Sequence, residues 1–204
     1  MAVDPQRADP PFRVIGLVGS LRRDSYNRRL LEVLIRRAPP DMDVSICPLG
    51  RIPHYNADLE EEGLPPSVDR LKREVAAADG LIIALPEYNA GVPGLLKNAI
   101  DWLSRPAYRS PLAGKPVALI AASPSPRGAG RALAELRRIL QSTRAEPLAH
   151  EVDVAAVHEK VVDDEIVDPE LERSLERMVD ELRRAMRAKR YGEAAASAPA
   201  ERAG

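Results

Sequence analysis

Two serines, two arginines and an asparagine crowd the stretch Gly19-Ser20-Leu21-Arg22-Arg23-Asp24-Ser25-Tyr26-Asn27, which leaves an apolar β-branched segment and enters an amphipathic one. A loop that opens a helix in this way brings hydroxyls and unpaired main-chain N–H groups to the positive end of the helix dipole, and Arg22 adds a charge-assisted donor. Such a set suits a phosphate. The plainer reading is that Ser25 caps the helix and nothing more. Neither the GxxxxGK[ST] of a Walker A loop nor the GxGxxG of a dinucleotide fold is present, so the phosphate of a mononucleotide is the expected ligand.

Two later segments have comparable character. Pro86-Glu87-Tyr88-Asn89-Ala90-Gly91-Val92-Pro93-Gly94 holds prolines and glycines that fix a loop, with a helix starting near Pro93. Main-chain donors and acceptors fixed in this way suit a flat polar heterocycle. A flavin needs them along its pyrimidine edge, with one face left open to a hydride donor. A rigid turn without a ligand is the competing reading. No second carboxylate is placed to work with Glu87 as an acid–base pair. Ala121-Ala122-Ser123-Pro124-Ser125-Pro126-Arg127-Gly128-Ala129-Gly130 opens another helix with small residues against which a ring can lie. Ser123 is the expected contact there. Arg127 and Arg131 either meet the phosphates of an incoming dinucleotide or simply face solvent.

The elements that must position these loops are legible as an alternation. Apolar segments at 13–18, 43–47, 80–85, 116–121 and, more weakly, near 150–154 predict strands. Between them lie stripes at helical spacing: Leu30, Leu31, Leu34 and Ile35; Val68, Leu71, Val75 and Ala78; Leu95, Leu96, Ala99, Ile100 and Leu103; Ala132, Leu133, Leu136, Ile139 and Leu140. A last helix, capped by Asp168-Pro169, carries Leu171, Leu175, Met178, Val179, Leu182 and Met186. Such alternation predicts an α/β domain, a parallel sheet covered on both faces. The stretch 50–63 reads as an irregular loop. In an open parallel sheet ligands bind at the carboxyl ends of strands where their order reverses, so the segments after the first, third and fourth are the candidates.

With 204 residues there is room for one ordinary domain, expected over 12–190, and 1–11 and 193–204 read as disordered tails. Hydrophobic residues at 45% and charged residues at 30% exclude a disordered polyelectrolyte, and no apolar run approaches membrane-spanning length. Thirty Lys and Arg against 31 Asp and Glu give a net charge of -1, which argues against nucleic-acid and anionic-membrane partners. The single cysteine, Cys47, allows no intrachain disulfide, suits a reducing cytoplasm and reads as a buried small residue. His54, His150 and His158 are not spaced as a metal set, and none is assigned a role. Ser123 and Ser125 lack the G-x-S-x-G elbow of a hydrolase. Trp102 reads as packing, with a subunit contact as the alternative.

Gly19-Ser20-Leu21-Arg22 with Ser25 and Asn27, Pro86-Glu87-Tyr88-Asn89, and Pro93-Gly94-Leu95-Leu96-Lys97-Asn98-Ala99-Ile100-Asp101-Trp102 together resemble the NADPH-dependent FMN reductase family, which includes chromate, quinone and azo-dye reductases. The similarity spans residues 12–154. It implies a flavodoxin-like three-layer sandwich, a five-stranded parallel sheet of order 2-1-3-4-5, noncovalent FMN, and a dimer or tetramer with the flavin near a subunit interface. Carried over by position, Ser20, Arg22, Ser25 and Asn27 would hold the FMN phosphate, with Tyr26 contributing backbone. Pro86, Glu87, Tyr88 and Asn89 would line the ribityl chain and isoalloxazine, and Ser123 would close the other side of the ring. Many relatives have a glycine-rich loop after that serine; Pro124 and Pro126 stand there instead and remove amide donors.

The implied activity is a two-step exchange at one site, hydride from NADPH or NADH to FMN and then reduction of a small-molecule acceptor such as a quinone, flavin, chromate or azo compound. The arginines near the third loop tilt the cosubstrate towards NADPH. No side chain need act as nucleophile or general acid. A flavodoxin-like FMN electron carrier is the alternative, against which a net charge of -1 argues mildly, and a flavin-free relative is a third reading.

Overall fold

The computed structural model describes residues 9–197, with side chains to residue 192. The central strands are β1 (Phe12–Val18), β2 (Met42–Cys47), β3 (Gly80–Leu85) and β4 (Pro116–Ala122), all parallel, followed by short β5 (Glu146–Pro147) and β6 (Val152–Val154). The sheet order is β2-β1-β3-β4-β5, and β6 also pairs with β4. The helices are α1 (Tyr26–Arg36), α2 (Ala57–Glu62), α3 (Pro66–Ala77), α4 (Gly94–Leu103), α5 (Gly130–Ser142), α6 (Val157–Lys160) and α7 (Pro169–Ser197). A small antiparallel hairpin, β7 (Val161–Val162) with β8 (Glu165–Ile166), precedes α7. This is the covered parallel sheet that the alternation predicts, in the flavodoxin-like order that the resemblance implies.

Strand alternation divides the core. Ile15, Leu17, Leu81, Ile83, Val117 and Leu119 meet α3, α4 and α5, whereas Val14, Val18, Ile82 and Ile120 meet α1 and α7. Burial on both faces explains why these strands read as unbroken apolar runs.

Several elements depart from expectation, each for a local reason. The fifth strand is broken: Pro147 has no N–H for the ladder, and the Arg137 guanidinium donates to the Pro147 and Leu148 carbonyls and to Glu151 across the interruption. Helix α2 lies inside the stretch read as irregular. The Asn56 side chain caps it by accepting from the Asp58 N–H at 3.0 Å, but none of its residues is buried, so it left no apolar stripe to detect. The β7–β8 turn places Asp163 and Asp164 at φ 49° and 60°, the left-handed pair of a two-residue hairpin turn. Alanine-rich sequence favours helix, and α7 continues to Ser197, past the expected tail boundary. Residues 1–8 and 198–204 of the two expected tails lie outside the described residues.

Trp102 is fully buried, donates from Nε1 to the Pro53 carbonyl at 2.8 Å and meets Tyr55 edge-on, so it packs within the chain and offers nothing to a neighbouring subunit. Burial, and next a hydrogen bond to Glu74, pushes the Cys47 thiol up to about 12, so no thiolate exists there near neutral pH. Asp168 caps α7 by accepting from the Leu171 N–H at 2.6 Å. Among the described residues no helix is long and apolar enough to cross a membrane.

Candidate active site

After β1 the chain moves outward to β2 on one side, and after β3 outward to β4 on the other, so the order reverses between β1 and β3 and leaves a crevice at their carboxyl ends. Loops 19–25, 86–93 and 123–129 border it.

The first loop is drawn tight at its start. The Gly19 N–H donates to the Ala84 carbonyl at 2.8 Å, and a Cβ there would lie 3.2 Å from that of Leu85, so glycine lets β1 and β3 stay paired up to the crevice. Ser20 and Ser25 are each 5% exposed, and their hydroxyl oxygens accept from the N–H groups of Arg22 and Arg28 at 3.3 Å. Their hydroxyl hydrogens remain available to donate. Ser25 is thus a helix cap in geometry, as the plainer reading had it, yet a cap of this kind leaves the first-turn amides of Tyr26 and Asn27 open. The Tyr26 ring packs on the α1–α7 side of the core.

Asn27 has a bracing task that its position in the sequence did not show. Its side chain is 2% exposed and both ends of its amide are committed: Nδ2 donates to the Ala122 carbonyl and Oδ1 accepts from the Ala122 N–H, each at 2.9 Å. One of the two Nδ2 hydrogens is spent on Ala122 and the other is not. Asn27 locks the start of α1 to the end of β4, leaving its main-chain N–H for a ligand.

In the second loop, Tyr88 and Gly91 exchange main-chain hydrogen bonds at 3.2 and 3.0 Å around Asn89 and Ala90, whose φ values of 51° and 65° are left-handed. Asparagine tolerates that conformation; alanine holds it at a cost of about 1–2 kcal/mol. The helix beyond begins at Gly94, with Pro93 as its cap residue.

Glu87 reaches across to the third loop. Oε1 accepts from Arg131 Nε and Nη2 at 3.0 and 2.7 Å, and Oε2 accepts from the N–H groups of Arg131 and Ala132 at 3.2 Å. Burial disfavours its charge, but the Arg131 guanidinium and the helix amides outweigh that and hold the carboxyl below the usual glutamate range. Asp153 completes this end of α5 by accepting from the Ala129 N–H at 2.8 Å, and Glu135 accepts from the Val92 N–H at 2.8 Å. Two carboxylates therefore fill the N-terminus of α5, whereas α1 has no acidic residue in its first turn. An anion entering the crevice is directed to α1.

Ser20, Arg22, Ser25, Tyr26, Asn27, Pro86, Glu87, Tyr88 and Ser123 line one cleft of about 260 Å³, together with Asp24, Ala122 and Pro124. Asn89, exposed at the tip of its turn, is not in the lining. Asp24 is the one carboxylate of the first loop and is outnumbered by Arg22 and Arg23. A cavity of about 440 Å³ between the distal parts of α4 and α5 is larger, but its Ser104, Ser142 and Thr143 hydroxyls are turned to helix carbonyls. Volume alone does not pick out the site.

The family model for NADPH-dependent FMN reductase matches residues 12–159. The chain belongs to that family. Among its relatives, the NAD(P)H-dependent FMN reductase of Pseudomonas aeruginosa is 43% identical over 137 residues, 67% of this chain and 74% of that one. A quinone reductase of Escherichia coli is 46% identical over 131 residues, 63% of this chain and 69% of that one. A solved flavoenzyme NAD(P)H:(acceptor) oxidoreductase from Paracoccus denitrificans superposes with a TM-score of 0.78 at 34% identity, over 85% of this chain and 98% of the other.

The residues of this FMN reductase family member fit the group that the family name implies. Open amides, two buried serine hydroxyls and Arg22 form an anion pole at one end of the cleft, and Pro86, Tyr88 and Ser123 offer backbone and short side chains along the rest. Glu135 and Asp153, which hold the second and third loops in place, carry no signal in the sequence, because no local pattern marks a carboxylate that acts on a distant amide.

One consequence can be checked by pH. Because the folded-state pKa of Glu87 lies below its unfolded value, its stabilisation is complete above ~4.3, the ordinary glutamate value, and is lost as pH falls through the depressed one. Urea unfolding of wild type and Glu87→Gln from neutral to acid pH should show a gap favouring wild type that closes below ~4.3. A gap independent of pH would mean that the charge of Glu87 is not what holds α5.

Proposed function

We propose that the protein is an FMN-dependent NAD(P)H oxidoreductase that reduces a small-molecule acceptor, with quinones the class favoured by the names of its relatives. The observation that carries this reading is the single cleft in which an anion-accepting helix N-terminus and two rigid loops converge at the sheet's reversal point, in a member of the FMN reductase family.

FMN, when bound, would supply the redox chemistry, two-electron transfer between NAD(P)H and the acceptor. The chain supplies position. The Tyr26 and Asn27 amides, the Ser20 and Ser25 hydroxyls and the Arg22 guanidinium hold the phosphate. Pro86, the Glu87 and Tyr88 backbone and Ser123 flank the ribityl chain and ring. The Glu87 carboxylate, turned to Arg131 and α5, keeps the two ring-side loops at a fixed separation and takes no part in proton transfer. Residues 12–190 act as one cofactor-binding unit, in a reducing cytoplasm that suits the lone buried cysteine. Leu21 and Tyr88, 64% and 48% exposed at the cleft rim, support self-association to a dimer or tetramer over this face.

Stopped-flow mixing of the FMN-loaded protein with NADPH or NADH tests the reading. Flavin absorbance should bleach within seconds and return on adding a quinone. A flavin that stays oxidised would leave only an electron carrier, and a protein that binds no FMN would end both readings.

A further inference from the structure

We propose that Arg127 reads the 2′-phosphate of NADPH and makes the protein select NADPH over NADH. The proposal rests on the oxidoreductase reading and deepens it.

A second cavity, of about 650 Å³, adjoins the cleft and shares Glu87 and Ser123 with it, so the trough continues away from the anion pole to a place where a second substrate would enter. Its charged lining consists of Glu87, Arg127 and Arg131. Arg131 is already neutralised by Glu87 at 2.7 Å. Neighbouring carboxylates have other partners as well: Asp153 accepts from the Ala129 N–H and Glu135 from the Val92 N–H, and neither lines the cavity. Arg127 alone in that lining has no carboxylate partner among the described residues, and it is exposed. The two arginines that look equivalent in the sequence therefore differ in kind.

The loop also presents Arg127 in a preset way. The Ser123 hydroxyl oxygen accepts from the Ser125 N–H at 3.1 Å, and the Ser125 hydroxyl oxygen from the Arg127 N–H at 3.2 Å. These two turns enclose Pro124 and Pro126, whose φ is fixed, and Gly128 follows at φ 67° with its N–H donating to the Ser125 carbonyl at 3.2 Å. Little backbone entropy remains to be lost on binding. The prolines that withhold amides from a flavin thus stiffen a platform for a guanidinium. Both serines keep a hydroxyl hydrogen to donate.

NADPH differs from NADH by one phosphate dianion on the adenosine ribose. An unpaired guanidinium, able to take two phosphate oxygens at once, separates the two where a neutralised one cannot. A single charge-assisted contact of this kind is worth about tenfold to a hundredfold in affinity.

The test uses FMN-loaded protein and two probes, 2′,5′-ADP and 5′-AMP, which differ at the 2′ position as the two cosubstrates do. Calorimetry should show 2′,5′-ADP binding at least tenfold more tightly to wild type. Arg127→Ala should erase that difference and lower the NADPH:NADH ratio of kcat/KM by tenfold or more through the KM for NADPH, and Arg127→Lys should restore part of both. Equal affinity of the two probes for wild type, or a ratio that Arg127→Ala leaves unmoved while both cosubstrates are oxidised, overturns the role of Arg127 alone. Failure to oxidise either cosubstrate removes the oxidoreductase reading and this proposal with it.

Discussion

Replacing Asn27 with Ala is expected to cost the fold roughly 2–6 kcal/mol, because it strips hydrogen-bond partners from two buried main-chain groups at about 1–3 kcal/mol each. Both groups belong to Ala122, which is 2% exposed at the end of β4, where water cannot readily take over from the lost amide. Asn27→Leu keeps the volume without the polarity and should cost at least as much, which separates lost hydrogen bonds from a lost shape. Urea unfolding read by circular dichroism gives the number. The same change should weaken FMN binding, since the amide pair sets where the N-terminus of α1 stands relative to the third loop. A loss under about 1 kcal/mol in both variants would mean that the pair contributes little and that α1 is held by its apolar stripe alone.

Arg22→Ala should raise the Kd for FMN by about tenfold to a hundredfold, the effect of removing a charge-assisted hydrogen bond to phosphate, worth about 1.5–3 kcal/mol. Riboflavin provides the contrast. It has the same ring and ribityl chain without the phosphate, so its affinity should not follow that of FMN when Arg22 is changed. Raising the salt concentration should weaken FMN binding to wild type more than to the variant, because Arg22 is exposed and its contribution is screened. Fluorescence titration of the apoprotein with each compound measures both effects. An FMN Kd that stays where it was would leave the phosphate to the α1 amides and the two serines, with Arg22 a solvated neighbour. Equal losses for FMN and riboflavin would point to a disturbed loop.

These expectations draw on two kinds of information. Period and composition carried the architecture: β-branched apolar runs and helical stripes such as Leu30, Leu31 and Leu34 state which face each element buries, and they do so within a single turn or pleat. The chemistry-bearing loops were legible for a related reason, since hydroxyls, prolines and glycines at strand ends constrain the backbone through their immediate neighbours. Where the local signal weakened, so did the reading. Helix α2 buries nothing, and the last strand is interrupted at Pro147.

What each polar side chain does was settled by folding alone. Glu87 and Arg131 stand 44 residues apart, and Asn27 and Ala122 stand 95 apart. No propensity or spacing rule couples positions so distant, because hydrogen bonds form between groups that packing has already brought within about 3 Å. The residue types announced an anion pole and a flat-ring platform. Only the packed chain decided that Asn27 braces β4, that Glu87 fills one helix terminus and leaves the other open, and that of two similar arginines one is neutralised and one is not.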